Sequence, residues 1–93
     1  MAKVEMRYFD IKDAINLQAK ITEEIGSKAG YDTKFIKKLE SVLDSIKDDN
    51  CYPNFSDKLA HLICSCVVLR PFLDVNKSTA LMLGIFFILL NKM

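Results

Sequence analysis

Eleven consecutive residues, Ala80 to Leu90, carry no polar side chain, and this run constrains the fold more than any other feature of the chain. It falls well short of the roughly 20 residues a helix needs to cross a bilayer, so no membrane span and no membrane partner are expected. A helix that is apolar on every face must instead be surrounded by other elements. With only three Gly and two Pro among 93 residues, turns are few and elements long, which favours helices throughout. Residues 1–93 leave room for a single domain.

Three further helices can be read from the spacing of apolar residues. Ile11, Ala14, Ile15, Leu17, Ile21 and Ile25 share one side of a 3.6-residue wheel, with Asp10 as N-cap and Gly26 as stop. Phe35, Ile36, Leu39, Val42, Leu43 and Ile46 form a second stripe, capped by Asp32 or Thr33 and closed by Lys47-Asp48-Asp49-Asn50. After Pro53, Ser56 or Asn54 can cap a third helix from Asp57 to Leu69, which should be largely buried, its polar flank reduced to His61 and Ser65. Pro71 pushes Arg70 out of the right-handed helical region and ends that helix. The fourth helix then runs from Asn76 to Asn91. The expected fold is all-α, a small bundle of about four main helices.

Three short helices cannot easily enclose the fourth, and a domain of this size hides only about 60–65% of its extended-chain surface. With 51% of its residues hydrophobic, the chain is expected either to lack later helices or to be covered by a protein partner, a second copy being the simplest cover. A homo-oligomer is therefore expected. Thirteen basic against twelve acidic residues, a formal charge of +1, provide no broad basic field, so no nucleic-acid partner is expected. Cys51, Cys64 and Cys66 make an odd count and MAKVEMRYFD has no apolar leader core, which fits reduced thiols and a cytoplasmic location.

The junction Leu69-Arg70-Pro71-Phe72-Leu73-Asp74-Val75-Asn76-Lys77-Ser78-Thr79-Ala80 feeds a loop into a helix N-terminus. Unpaired first-turn N–H groups and the macrodipole favour an anion there, with Lys77 beside it. Asp74 can either cap the fourth helix or hold Mg2+. The cap is the preferred reading.

This junction resembles the signature of the Fic/Doc (Fido) family, His-x-Phe-x-Asp/Glu-Gly-Asn-Gly/Lys-Arg, and most closely the death-on-curing (Doc) branch, in which Asn-Lys-Arg-Thr-Ala follows. Tyr52-Pro53 ahead of the third helix and the hydrophobic close Phe87 to Asn91 are similar as well, so the resemblance runs from about Asp10 to Asn91. It implies an all-helical bundle without the family's later C-terminal helices. It also implies ATP and Mg2+ as cofactors and transfer of AMP, or of phosphate in the Doc branch, to a hydroxyl of a target protein. By this resemblance Phe72 anchors the loop, Asp74 holds the metal, and Asn76 and Lys77 belong to the nucleotide site together with the position of Ser78.

Three positions depart from the pattern. Arg70 stands where the family has its general-base His, and a guanidinium that is always protonated cannot accept a proton. Ser78 replaces the Arg that pairs with phosphate. Val75 replaces a small residue, placing two methyl groups on the loop. His61, the single histidine, lies nine residues before Arg70, roughly 13 Å along a helix. A general base alone contributes about 10²–10⁴ in rate, so no catalytic residue is intact, and ATP and Mg2+ are expected to bind weakly or not at all. The reading is a degenerate family member acting as a helical interaction module or toxin–antitoxin remnant. The alternative is an AMP- or phosphate-transferring toxin that retains Asp74, Asn76 and Lys77.

Other features have plainer explanations. Cys64 and Cys66 are about 200° apart on a helix and cannot grip one metal; small buried hydrophobes are the default for such thiols. Met82, Phe86, Phe87 and Leu90 read as core rather than as ligand lining. Lys34, Lys37, Lys38 and Glu40 read as a solvated face, and Arg70 is itself a candidate anion clamp.

Overall fold

Asp10 begins the structure's first helix with a reciprocal cap. Its carboxylate accepts from the Asp13 N–H, and the Asp13 carboxylate accepts from the Asp10 N–H. The computed structural model describes residues 5–91, and its helices are α1 (Ile11–Ile25), α2 (Thr33–Ser45), α3 (Phe55–Leu69) and α4 (Asn76–Leu90). The all-α expectation holds: among the described residues the single β-type pairing is an isolated bridge between Tyr31 and Phe72. α1 ends at Gly26, whose φ of 69° lets the chain turn out of the helix. Asp32 rather than Thr33 caps α2, accepting from the N–H groups of Lys34 and Phe35.

α4 packs against α1 and α3, and α2 closes the ring by touching α3 and α1. The core lies where the four meet, built from Ala14, Ile36, Leu39, Leu43, Ile46, Leu62, Cys66, Ala80, Leu83 and Phe87, with Phe9 and Phe72 contributed by the connecting segments. Phe87 is its aromatic hub, stacked on Phe55 at 4.8 Å and met edge-on by Phe9 at 6.2 Å. Gly84 lets α3 lie close, since a methyl group at that position would stand 2.6 Å from the Ile63 side chain.

Several boundaries and burials differ from the expectation. α3 begins at Phe55, two residues before the expected Asp57, whereas α2 begins at Thr33, directly after its expected cap Asp32. Asn54 occupies the N-cap position of α3, but its amide donates to the Asp57 carboxylate instead of its oxygen receiving a first-turn N–H. The buried line of α1 is Ala14-Gln18-Thr22 rather than the Ile-rich edge, and Ile25 is exposed. α3 is not largely buried: Cys64 and Val68 face solvent, whereas Lys58 is enclosed. The Lys58 ammonium donates to the Ile46 carbonyl at the end of α2 and to Asp49 at 2.8 Å, so it neutralises the negative end of that helix.

α4 is enclosed on only part of its circumference. Thr79, Ala80, Leu83, Gly84 and Phe87 are buried, while Leu81 (61% exposed), Met82, Ile85 and Leu89 (66%) form an outward apolar stripe. The surrounding that an all-apolar helix calls for is therefore incomplete among the described residues.

Candidate functional site

Residues 70 to 75 form a short loop whose two ends are both in left-handed backbone conformation. Arg70 (φ 49°) terminates α3, its N–H bonded to the Cys66 carbonyl, and Val75 (φ 54°, ψ 37°) starts α4. Among the described residues these are the two non-glycine positions with positive φ. A left-handed L-residue costs about 1–2 kcal/mol, and a β-branched one is a genuine outlier. The backbone at position 75 thus favours a residue without a branched Cβ. Such strain persists because the surroundings over-determine the loop.

Those surroundings are specific. Pro71 and Phe72 are buried under the loop. The Asn76 side chain clamps the Phe72 backbone from both sides, its oxygen accepting from the Phe72 N–H and its amide donating to the Phe72 carbonyl, each at 3.0 Å. The segment between α1 and α2 runs alongside, with Asp32 N–H donating to the Pro71 carbonyl (2.9 Å) and Leu73 N–H to the Gly30 carbonyl (3.0 Å). Gly30 has φ 128°, and a Cβ there would meet Leu73 at 2.8 Å. Buried Gln18 joins the two loops from beneath. Its amide donates to the carbonyls of Lys28 and Asp74, and its oxygen accepts from the Gly30 N–H, all at 3.2 Å.

Asp74 does not cap α4, which corrects the preferred reading of the sequence: Val75 occupies the N-cap position and no side chain caps the helix. One Asp74 oxygen accepts from the Ser27 hydroxyl and the other from the Val75 N–H at 2.8 Å. These bonds, Ser27 first, hold its carboxyl below the usual carboxylate value, so it is ionised at neutral pH. Both of its oxygens are engaged. Among the described residues no group of three or more His, Cys, Asp or Glu side chains could hold a metal ion, and the one carboxylate within the 70–75 loop, Asp74, is already bonded through both oxygens.

The residues singled out from the sequence gather here as follows. Phe72, Asp74 and Asn76 belong to one hydrogen-bonded loop. Lys77 and Ser78 are exposed on the first turn of α4, and Arg70 is exposed at the far end of the loop. His61 does not approach them. It lies in the first half of α3, stacked on Tyr52 at a centroid distance of 4.5 Å. Cys64 is exposed and Cys66 buried, so the two thiols diverge as their spacing requires, and burial pushes the Cys66 thiol up to about 12. Cys64 is therefore not the buried hydrophobe expected. Ser27, Gln18 and Gly30 were not legible as parts of this site. Gln18 carried the one available signal, a large amide on the inner face of α1 between Ala14 and Thr22.

A sequence model of the Fic/DOC family matches residues 8–88, which takes in the whole 70–75 loop and all but the last turn of α4. No curated protein and no solved structure gives a significant match.

Proposed function

The chain belongs to the Fic/DOC family, and from that premise we propose that it is a degenerate member, impaired in group transfer, that works as a helical protein-binding module. The observation that carries this reading is the state of the loop. Arg70, a permanent cation, occupies the position of the proton acceptor, and no histidine or unengaged carboxylate stands in for it among the described loop residues. Asn76 and Asp74 are engaged in holding the loop itself. Val75 puts a β-branched side chain at the N-cap position of α4, and Ser78 offers no charge. These residues are a poor fit to ATP with Mg2+. The binding role is supported by the outward stripe Leu81, Met82, Ile85 and Leu89, apolar surface suited to burial against another protein or a second copy.

The test is incubation of the unaltered chain with ATP labelled on the α- or the γ-phosphate in a cell lysate. No protein should acquire label beyond that seen in the same lysate without the chain, and millimolar ATP with Mg2+ should leave the amide resonances of Asn76 to Thr79 unmoved. Label of either kind that appears only when the unaltered chain is added refutes the proposal. A second reading, an AMP or phosphate transferase, is favoured by the uncapped start of α4 with Lys77 beside it and an ionised Asp74. Under that reading the Arg70→His, Ser78→Arg double variant labels a target protein; under the first it binds a partner and transfers nothing.

A further inference from the structure

α2 and α3 leave a groove of about 480 Å3 between them, whose lining includes neither the 70–75 loop nor the outer stripe of α4. It is lined by Lys38, Ser41, Val42, Cys64, Ser65, Val68 and Leu69. We propose that this groove docks an amphipathic helix of a partner protein whose apolar side chains are flanked by carboxylates. The inference rests on the binding-module reading and supplies the chemistry of the partner.

The shape argues for a helix. Small side chains, Ser41, Cys64 and Ser65, line both walls, so a third helix axis can approach to the roughly 8–10 Å at which helices interlock. Val68 is 79% exposed and Val42 half-buried, which leaves apolar surface for the knobs of such a helix and gives recognition of apolar side chains at i, i+3 or i+4, and i+7.

The charge argues for its flanks. Lys38 lines the groove, Lys34 stands one turn before it on the same flank of α2, and Arg70 follows directly on Leu69; all three are exposed. No carboxylate lines the groove. Glu40 is turned about 200° away from Lys38 around α2. On α3, Asp57 is two turns from Cys64 and already paired with Asn54. A partner bringing carboxylates to this rim gains complementary charge, and a cationic helix or a second copy presenting the same lysines is repelled.

Cys64 in the groove and Cys51 on a remote loop are both exposed, and Cys66 is buried, so alkylation reads out the groove with an internal control. The probe is a synthetic helical peptide of about four turns with Leu at the four contact positions and Glu on its flanks, compared with the same peptide carrying Lys for Glu. The expected result is that the Glu peptide slows iodoacetamide reaction at Cys64 at least fivefold, less so at high salt, and leaves Cys51 unchanged, while the Lys peptide does neither. Val68→Glu and Lys38→Glu, both at exposed positions, should each weaken the Glu peptide at least tenfold with the helical circular dichroism unaltered. Absence of protection, equal protection by the Lys peptide, or protection that rises with protein concentration without peptide overturns the proposal, the last by making a second copy the occupant. The labelled-ATP assay on the same preparation separates the two readings. No protection and no transfer removes the groove alone, whereas transfer removes the binding-module reading on which it rests.

Discussion

Replacement of Val75 by glycine and, separately, by alanine isolates the backbone energy stored at the start of α4. Alanine removes the two γ-methyl groups of a half-buried side chain and glycine removes the β-carbon as well, so the two variants differ by one methyl group and by what the backbone conformation demands. At an ordinary position glycine is the less stable of the two by about 0.5–1 kcal/mol, because it loses more chain entropy on folding. At φ 54°, ψ 37°, alanine retains the left-handed penalty of about 1–2 kcal/mol and glycine escapes it. The order should therefore invert, with Val75→Gly more stable than Val75→Ala by about 0.5–1 kcal/mol, which for a domain of this size is about 4 °C in Tm. Urea and thermal unfolding followed by circular dichroism measure it. Ala19→Gly, at an exposed site inside α1, serves as the ordinary reference and should lose about 1 kcal/mol. If the alanine variant is as stable as the glycine variant, or more so, the left-handed strain assigned to this loop is absent and the account of it fails.

Lys58→Met keeps the aliphatic stem but strips the buried Ile46 carbonyl of its partner, and should cost about 1–3 kcal/mol in urea unfolding. Burial lowers the Lys58 pKa, and the bonds to Asp49 and Tyr8 outweigh that and leave it above its ordinary 10.5. The ammonium's contribution is thus complete below pH 10.5 and disappears as pH rises through the raised folded value. Cys66 behaves in the same sense at lower pH. Its thiol is held near 12 against 9.0 when unfolded, so stability should fall by about 1.4 kcal/mol per pH unit above roughly pH 9 as the unfolded thiol ionises and the folded one does not. Unfolding series from about pH 8 to about pH 10 should show that slope in the parent and not in Cys66→Ala.

Fold class and helix number were legible from local signals: a side-chain cap at Asp10 and at Asp32, a glycine stop at Gly26, Pro71 after α3, and for α4 the unbroken apolar run Ala80 to Leu90. Burial was less legible, because it depends on which neighbours a helix receives. Val68 and Lys58 show this together. An apolar residue at the end of α3 faces solvent where α2 leaves the groove open, and a charged residue near its start is enclosed where the end of α2 presents a bare carbonyl. At the loop, the positions of the signature identified Phe72 and Asn76, which lie within four residues of each other. Ser27 and Gln18 bond to Asp74 across sequence separations of 47 and 56 residues, Gly30 is comparably remote, and no local pattern announces a contact of that range. Asp74 illustrates the same limit. Its place before α4 suggested a cap, and the structure turns its carboxylate toward Ser27 instead.

The loop divides its residues into those that hold it and those that would act on a ligand, and the two groups differ in how freely they can change. Phe72 is enclosed in the core and Asn76 satisfies both backbone groups of Phe72 in a part-buried setting. Asn76→Ala leaves that N–H and C=O unpaired and should cost about 1–3 kcal/mol, whereas Ser78→Arg and Arg70→His change exposed side chains that stand clear of the Asn76 clamp and should stay within about 0.5 kcal/mol of the parent. Positions 70 and 78 should therefore exchange with little consequence for the bundle, while the loop is fixed by its own packing. Equilibrium unfolding of the three variants decides the point. A loss at Arg70→His or Ser78→Arg as large as that at Asn76→Ala would show that these side chains are structural here and would refute the division drawn between them and the Asn76 clamp.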